Sequence, residues 1–212
     1  MTSEIPKQFL ELNGKPVLMH TIEAFESYPA TSNITLVLPP HQFQFWKQLC
    51  KDHNFTIEVN LVEGGITRFE SVKNGLCSLG YNGIVAIHDG VRPLVTKKVI
   101  ENCVEMAKEA GAAIPVIALK DSLRKVKGSE NEHVSRSEFR AVQTPQCFDL
   151  AKLIQAYKQP FRSNFTDDAS VWEAHGGKVR LVEGDAENLK ITYPLDLQLA
   201  ELIMNNRGQA NT

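Results

Sequence analysis

An acidic and a basic side chain lie three residues apart at the end of the most apolar segment of this 212-residue chain. The segment IVAI, residues 84–87, predicts a buried strand, and Asp89, Gly90 and Arg92 follow it. Ligands of open α/β sheets bind beyond the carboxyl ends of strands. Pro93 restricts Arg92 to extended backbone and so favours a fixed direction for its guanidinium. A turn-forming Asp accounts for the pattern equally well, but a fixed guanidinium beside a carboxylate suits a phosphate or a polyol.

The segment VEGGITRFES places Gly64 and Gly65 between a predicted strand and the start of a predicted helix. A tight strand-to-helix turn is one interpretation. The other is that two residues without side chains let a flat ring approach the backbone, with Ser71 available for a hydrogen bond. The segment matches neither GxGxxG nor GxxxxGK[ST], so the sequence predicts neither a dinucleotide fold nor a P-loop.

Four further polar residues are ambiguous when each is considered alone. Thr144 is a hydroxyl residue before a proline, and Thr166 is expected to be the N-cap of a helix that directs its N-terminus at an anion. Lys7 and Lys190 lie in loop-like or strand-end segments, where most lysines are simply solvated. Their meaning therefore depends on the pattern around them.

Composition limits the possible functions. The formal net charge is −2, with 42% hydrophobic and 23% charged residues, which is typical of a globular domain. This charge gives no broad attraction to nucleic acid or to an anionic membrane, so locally placed cations must hold any anionic ligand. The four cysteines have no CxxC or Cys/His metal spacing and are expected to be reduced thiols. No apolar run approaches the ~20 residues of a membrane span and the start lacks the apolar region of a signal peptide, so a cytoplasmic protein is expected.

Strand and helix patterns alternate through the first 119 residues. Short β-rich runs predict strands between helices, and Thr67 with Glu70 forms the capping-box pattern at one helix start. The alternation predicts right-handed crossovers and a mostly parallel sheet, that is, a Rossmann-like α/β fold in a single domain over residues 1–212. Helices are predicted near residues 15–28, 41–53, 67–80 and 97–111.

Residues 120–142, which we call the arm, interrupt this alternation. Two polar, β-compatible stretches flank the turn sequence GSENE, which predicts a hairpin that does not lie on the core. A solvated excursion and an arm that docks on a second subunit are both compatible with the pattern.

Six motifs follow one another in this chain: PKQF-x(4)-GKPVL, GG-x-x-R-x-x-S-V, HD-x-x-RP, R-x(7)-TPQ-x-F, TDDAS and N-x-K-I-T-x-P-x-D-L. In this order they resemble the 2-C-methyl-D-erythritol 4-phosphate cytidylyltransferases of the non-mevalonate isoprenoid pathway, over nearly the whole chain. The resemblance implies a Rossmann-like nucleotidyltransferase domain with a protruding β-arm that forms a homodimer. It also implies that CTP and methylerythritol phosphate are joined with Mg²⁺ and that diphosphate is released.

The resemblance also implies roles for individual residues, and no protein metal ligand is among them. Lys7 and Lys190 would be the catalytic cations. The arm would carry Ser122, where relatives often have Thr, and Arg136, which would reach into the site of the partner. The nucleotide-binding residues would be Gly64, Gly65, Ile66, Ser71, Asp89 and Gly90. The substrate-binding residues would be Asp89, Arg92, Ser122, Arg136, Thr144, Thr166 and Lys190.

Two departures from the family pattern bear on function. Relatives commonly have Asp directly after the two glycines, where this chain has Ile66, so a backbone contact to the base would survive and a side-chain contact would not. Relatives also begin with a strand and a glycine-rich loop upstream of the lysine that matches Lys7, whereas Met1 lies six residues before Lys7 here. That strand and loop are therefore expected to be missing, the central position of the sheet to be vacant or shortened, and the chain to be poorly active as it stands.

The implied reaction explains why the motifs contain cations and hydroxyls. An ionised phosphate oxygen of methylerythritol phosphate would attack the α-phosphorus of CTP in line, so no general base is needed. Lys7, Lys190 and Mg²⁺ would neutralise the charge that develops.

Three alternative functions differ in how well the motifs support them. A ribitol-5-phosphate cytidylyltransferase would carry the same motifs, although TDDAS and R-x(7)-TPQ favour the isoprenoid enzyme. A non-catalytic CTP-binding form follows if the N-terminal loop is absent. A metal-dependent phosphatase of the DxD type is disfavoured, because Gly90 and Val91 follow Asp89 and supply no second acid.

Overall fold

The computed structural model describes residues 5–31 and 33–210. Short 3₁₀ turns lie at Lys7–Phe9, Pro40–Gln42 and Arg136–Glu138. The helices are α1 Val17–Glu26, α2 Phe43–Asp52, α3 Arg68–Cys77, α4 Lys97–Ala110, α5 Leu150–Ala156, α6 Asp168–Ala174 and α7 Pro194–Ala210. The strands are β1 Glu11–Leu12, β2 Lys15–Pro16, β3 Thr35–Leu38, β4 Asn60–Glu63, β5 Ile84–Ile87, β6 Ala112–Ala118, β7 Leu123–Lys127, β8 Glu130–Val134, β9 Arg140–Val142, β10 Gln146–Asp149 and β11 Arg180–Glu183.

The main sheet has the strand order β11-β6-β10-β5, with β9 also paired to β6. β11 runs parallel to β6, whereas β10 is antiparallel to both β5 and β6, and β9 is antiparallel to β6. The α/β class predicted from the sequence is confirmed, but the prediction of a mostly parallel sheet was wrong, because the sheet is mixed. The reason is that the chain returns from the arm along β6 and enters the sheet as β10 without a crossover helix, which requires an antiparallel strand.

Alternate residues of the main sheet pack on opposite faces, as the two-residue period of a strand requires. Ala112 and Phe148 pack with Leu153 of α5 and Trp172 of α6 on one face. On the other face, buried Ala113 and Cys147 belong to the cluster built around α4, which includes Val99, Ile100 and Cys103. Helices therefore cover both faces of the sheet. Among the described residues, no helix has the length and apolar character needed to cross a membrane.

Strands β3 and β4 form a separate two-stranded parallel sheet. A cavity of about 1010 Å³ lies between β3 and β5, and Leu36, Leu38, Ile84 and Ala86 are among its lining residues. In the described part of the chain, β3 pairs only with β4 and β5 pairs only with β10. The described residues thus place this cavity between β3 and β5, and the vacant or shortened central position stays a prediction.

The arm contains the predicted hairpin, formed by the antiparallel strands β7 and β8. Its turn is shorter than the predicted GSENE, because Lys127 pairs with Glu130 and only two residues connect the strands. Gly128, the first of them, has φ of +61°, as a tight II′-type hairpin turn requires. The last three residues assigned to the arm form β9 and belong to the main sheet instead.

Candidate active site

A cluster of three charged side chains lies beyond the carboxyl end of β5, and we call Asp89, Arg92 and Lys190 the charged cluster. Arg92 Nε and Lys190 Nζ lie 3.1 Å and 3.2 Å from the same carboxylate oxygen, Asp89 Oδ2. Asp89 and Arg92 are largely buried and Lys190 is half-exposed. Burial tends to raise the pKa of Asp89, but the charge of Lys190 and the hydrogen bond from Arg92 outweigh it and lower this pKa. The cluster therefore carries one net positive charge and could hold an anion.

The backbone of the charged cluster is held by His88 and Thr144. A carbonyl oxygen only accepts, so His88 Nε2 donates to the Arg92 carbonyl oxygen at 3.1 Å. The Thr144 hydroxyl then donates to the bare His88 Nδ1 at 3.0 Å, and its oxygen accepts from the Asp89 N–H at 3.2 Å. Burial is the main reason that the pKa of His88 falls to about 4, which keeps the ring neutral. Because Thr144 is buried and its proton is engaged, it can offer a ligand only a lone pair.

Two buried amides hold the segment that carries Lys190. Gln143 exchanges two hydrogen bonds with the backbone of Asp185, at 2.8 Å and 3.1 Å. Asn188 Nδ2 donates to the Thr144 carbonyl oxygen at 2.9 Å, and the Asn188 carbonyl oxygen accepts from Arg92 Nη1 at 2.8 Å. Sequence reasoning missed these amides and His88, although His88 and Asn188 are part of the motifs HD-x-x-RP and N-x-K-I-T.

Residues 64–71 form a compact turn into α3, and we call them the glycine loop. The predicted capping box is confirmed: the Thr67 hydroxyl accepts from the Glu70 N–H, and the Glu70 carboxylate accepts from the Thr67 N–H, both at 3.1 Å. A Cβ at Gly65 would lie 2.2 Å from the Glu70 Cβ, so this close approach requires glycine. Ser71 Oγ accepts from the Gly65 N–H at 3.0 Å. The Ile66 side chain is 98% exposed, so only the backbone of this residue takes part in the loop.

The start of α6 differs from the prediction. Asp167, not Thr166, is the N-cap, because the Asp167 carboxylate accepts the Ser170 N–H at 2.9 Å and forms a capping box with Ser170. Thr166 directly precedes this cap and is exposed. Its hydroxyl is therefore not needed as the cap of the helix.

The remaining predicted residues have different surroundings. Gly90 lies in the loop of the charged cluster, where its carbonyl oxygen accepts from the Thr21 hydroxyl at 3.2 Å. Lys7 is exposed on the 3₁₀ turn before β1. Ser122 is exposed at the base of the arm, and Arg136 donates to the carbonyl oxygen of Lys120, also at the base. Within one chain, the Arg136 side chain thus bonds to the base of its own arm and not to the charged cluster.

Comparison with known proteins gives matches over nearly the whole chain. The family model for 2-C-methyl-D-erythritol 4-phosphate cytidylyltransferase matches residues 1–206. The protein of that name from Bacteroides thetaiotaomicron is 52% identical over 204 residues, which are 96% of this chain and 93% of that protein. The one from Bacillus licheniformis is 39% identical over 93% of this chain and 87% of its own. A crystal structure of the protein of that name from Thermus thermophilus matches with a TM-score of 0.77 and 34% identity over 94% of both chains.

Proposed function

Because this chain belongs to the 2-C-methyl-D-erythritol 4-phosphate cytidylyltransferase family, we propose that it joins CTP to 2-C-methyl-D-erythritol 4-phosphate and releases diphosphate. The observation that carries this proposal is the charged cluster, in which two cations converge on one partly buried carboxylate. Guanidinium and ammonium groups are suited to phosphate, and a carboxylate is suited to the hydroxyls of a sugar or polyol. One cluster can therefore contact the phosphate of one substrate and the hydroxyls of either substrate.

The two groups of residues would hold different substrates. In the glycine loop, the backbone of Gly64, Gly65 and Ile66 borders the cytosine ring, and Ser71 offers it a hydrogen bond. The charged cluster holds the phosphate of the polyol, with Asp89 and the backbone of Gly90 also contacting the ribose of CTP. Thr166 supplies an exposed hydroxyl that completes this pocket. Thr144 orients the pocket through its hydroxyl oxygen, which accepts a hydrogen bond from the Asp89 N–H.

The chemistry would then rest on positioning and charge. The attacking phosphate oxygen is already ionised at neutral pH, so neutral His88 is not needed as a base. Lys190 and Lys7 stabilise the charge that develops on the phosphates in the transition state. This role for Lys7 is supported by the PKQF motif that contains it.

Mg²⁺ fits this site only when it binds together with the triphosphate of CTP. The described residues contain no group of three or more His, Cys, Asp or Glu side chains able to hold a metal ion. Mg²⁺ commonly binds through one or two carboxylates and substrate phosphates, and Asp89 is the carboxylate beside the proposed phosphates. When bound, the ion would neutralise charge across the phosphates of CTP.

We also propose that the chain is one domain and forms a homodimer through the arm, with Arg136 and Ser122 acting in the site of the partner. The hairpin is polar and exposed, and the Arg136 side chain donates to the Lys120 carbonyl oxygen at the base of its own arm. Exposed Phe139, Val142 and Leu181 near the β9 and β11 edges would be covered by such contacts. We place the enzyme in the cytoplasm because the proposed reaction consumes CTP.

The proposed function is tested by incubating the protein with CTP, Mg²⁺ and either methylerythritol phosphate or ribitol 5-phosphate. Diphosphate release is measured together with ³¹P NMR of the product. We expect equal amounts of diphosphate and CDP-linked methylerythritol. Faster turnover of ribitol 5-phosphate would assign the chain to the other polyol. Calorimetric CTP binding without diphosphate release would identify a non-catalytic form and contradict the proposal.

A further inference from the structure

The first residues of α3 and α6 form an ion pair, in which the Arg68 side chain is 44% exposed and the Asp168 carboxylate is buried. Arg68 Nη1 and Nη2 donate to Asp168 Oδ1 and Oδ2, at 2.9 Å and 2.5 Å, so the contact is bidentate. The Asp168 side chain is fully buried, and the hydroxyl of Tyr157, which directly follows α5, donates to Asp168 Oδ1 at 2.6 Å. Burial alone would lower the pKa of Arg68, but the hydrogen bonds and charge of Asp168 outweigh it and raise this pKa. The N-termini of the two helices are therefore fixed to each other.

Arg68 lies within the glycine loop, and Asp168 lies two residues after Thr166, so each residue of the pair adjoins groups that the proposed function assigns to a substrate. Arg68 follows Thr67, the cap within the glycine loop, and Asp168 follows Thr166 and the Asp167 cap. The start of α6 is held from a second side as well. Gln146 Nε2 donates to Asp167 Oδ2 at 2.9 Å, and its Oε1 accepts the Ala169 N–H at 3.0 Å.

We propose that Arg68, Asp168 and Tyr157 are positioning residues, which hold the glycine loop and the segment around Thr166 at one fixed separation. The proposal rests on the proposed function, in which these segments border different substrates. In-line attack requires reacting atoms about 3–3.5 Å apart, and a shift of about 1 Å can cost about 100-fold in rate. A bidentate pair between two helix starts restricts such a shift, because both its distance and its direction are fixed.

The test separates positioning from stability with two variants. Arg68→Met leaves the buried Asp168 carboxylate without its cation, so it should lower the melting temperature. It should also raise the KM for both substrates and lower kcat on the order of 10- to 100-fold. The double variant Arg68→Met with Asp168→Asn removes the buried charge and keeps an acceptor for Tyr157. Its melting temperature should return most of the way to that of the parent protein, whereas the two KM values and kcat should stay altered.

A matched control is Val99→Ala, a buried truncation in the cluster on the other face of the sheet. It should lower the melting temperature without changing either KM. Arg68→Lys retains the charge but not the bidentate geometry, so its kinetic constants should be intermediate. Recovery of both KM values and kcat in the double variant would reduce the pair to a structural role and overturn the proposal.

A readout without ligands keeps this test independent of turnover. Hydrogen–deuterium exchange of residues 64–67 and 164–168 should be faster in the double variant than in the parent protein, in both segments. If the parent protein has no activity, the proposed function fails and exchange alone decides the present inference. Parent-like protection in either segment of the double variant would contradict it.

Discussion

The glycine loop and the charged cluster are built from contacts of different range. In the glycine loop, Ser71 and Glu70 bond to backbone groups no more than six residues away. The contacts of the charged cluster join Asp89 to Thr144, 55 residues away, and Arg92 to Asn188, 96 residues away. A local turn can form with its own helix, whereas the charged cluster exists only once β5, β10 and the segment after β11 have assembled. Apart from the Arg68–Asp168 pair, which joins the glycine loop to α6, sensitivity to distant substitutions should therefore be concentrated at the charged cluster.

The largest effect is expected from Lys190→Ala. Removing a cation that stabilises the transition state costs about 2.7–4 kcal/mol by analogy with a lost oxyanion donor, which is on the order of 100- to 1000-fold in kcat. Steady-state kinetics measure it, with exposed Lys178→Ala as the matched control and Lys190→Arg as the variant that retains the charge. A decrease of less than about threefold would remove Lys190 from the catalytic groups.

The range of contacts also explains what could be predicted from the sequence. The capping box of Thr67 and Glu70 has a fixed three-residue spacing and was predicted, as was the strand before Asp89. The partnership of His88 with Thr144 depends on the entry of β10 beside β5, which no local pattern indicates.

The family resemblance predicted which residues to examine but not how they contact one another. It did not indicate that Asp167 would displace Thr166 as the cap, because both residue types cap helices well. It also did not indicate that Asp168 would be buried and paired with Arg68, 100 residues away in the chain. The sequence also did not indicate the antiparallel direction of β10, because the direction of a strand depends on the path of the chain outside it.

The second largest expected effect is a loss of folding stability as the pH falls. The pKa of His88 falls from 6.5 to about 4 on folding, mainly because of burial, so the unfolded chain binds the proton more readily between these values. The contribution to stability is complete above about pH 6.5 and is lost as the pH falls toward about 4, a change of about 3 kcal/mol.

Urea unfolding of the parent protein and of His88→Gln at about pH 7.5 and about pH 4.5 measures this change. Gln cannot titrate, so the free energy of unfolding should change by about 2.5 kcal/mol less between the two pH values in the variant. Asp89 and Arg92, the charged neighbours of His88, are present in both proteins and cancel in the comparison. An equal pH dependence in both proteins would mean that His88 does not titrate as described.

A smaller effect is expected from the arm, through its proposed contact with the site of the partner subunit. If Arg136 acts across the dimer, mixing Arg136→Ala and Lys190→Ala chains gives heterodimers with one doubly altered site and one intact site. Random exchange of equal amounts makes about half of the dimers mixed, so about one quarter of all sites should recover. Activity is measured after exchange is verified by mass spectrometry of the intact dimers. Activity equal to the average of the two unmixed variants would place Arg136 in its own subunit.

The central claim is that the glycine loop holds CTP and the charged cluster holds the polyol phosphate. The most direct measurement is the KM for each substrate in Ser71→Ala and in Arg92→Lys. Ser71→Ala should raise the KM for CTP several-fold, about what one hydrogen bond of roughly 1 kcal/mol gives, and leave the KM for methylerythritol phosphate unchanged. Arg92→Lys should do the reverse, because Lys cannot keep both the Asp89 and Asn188 contacts. An unchanged CTP KM in Ser71→Ala, or equal shifts for both substrates in both variants, would contradict this division of the site.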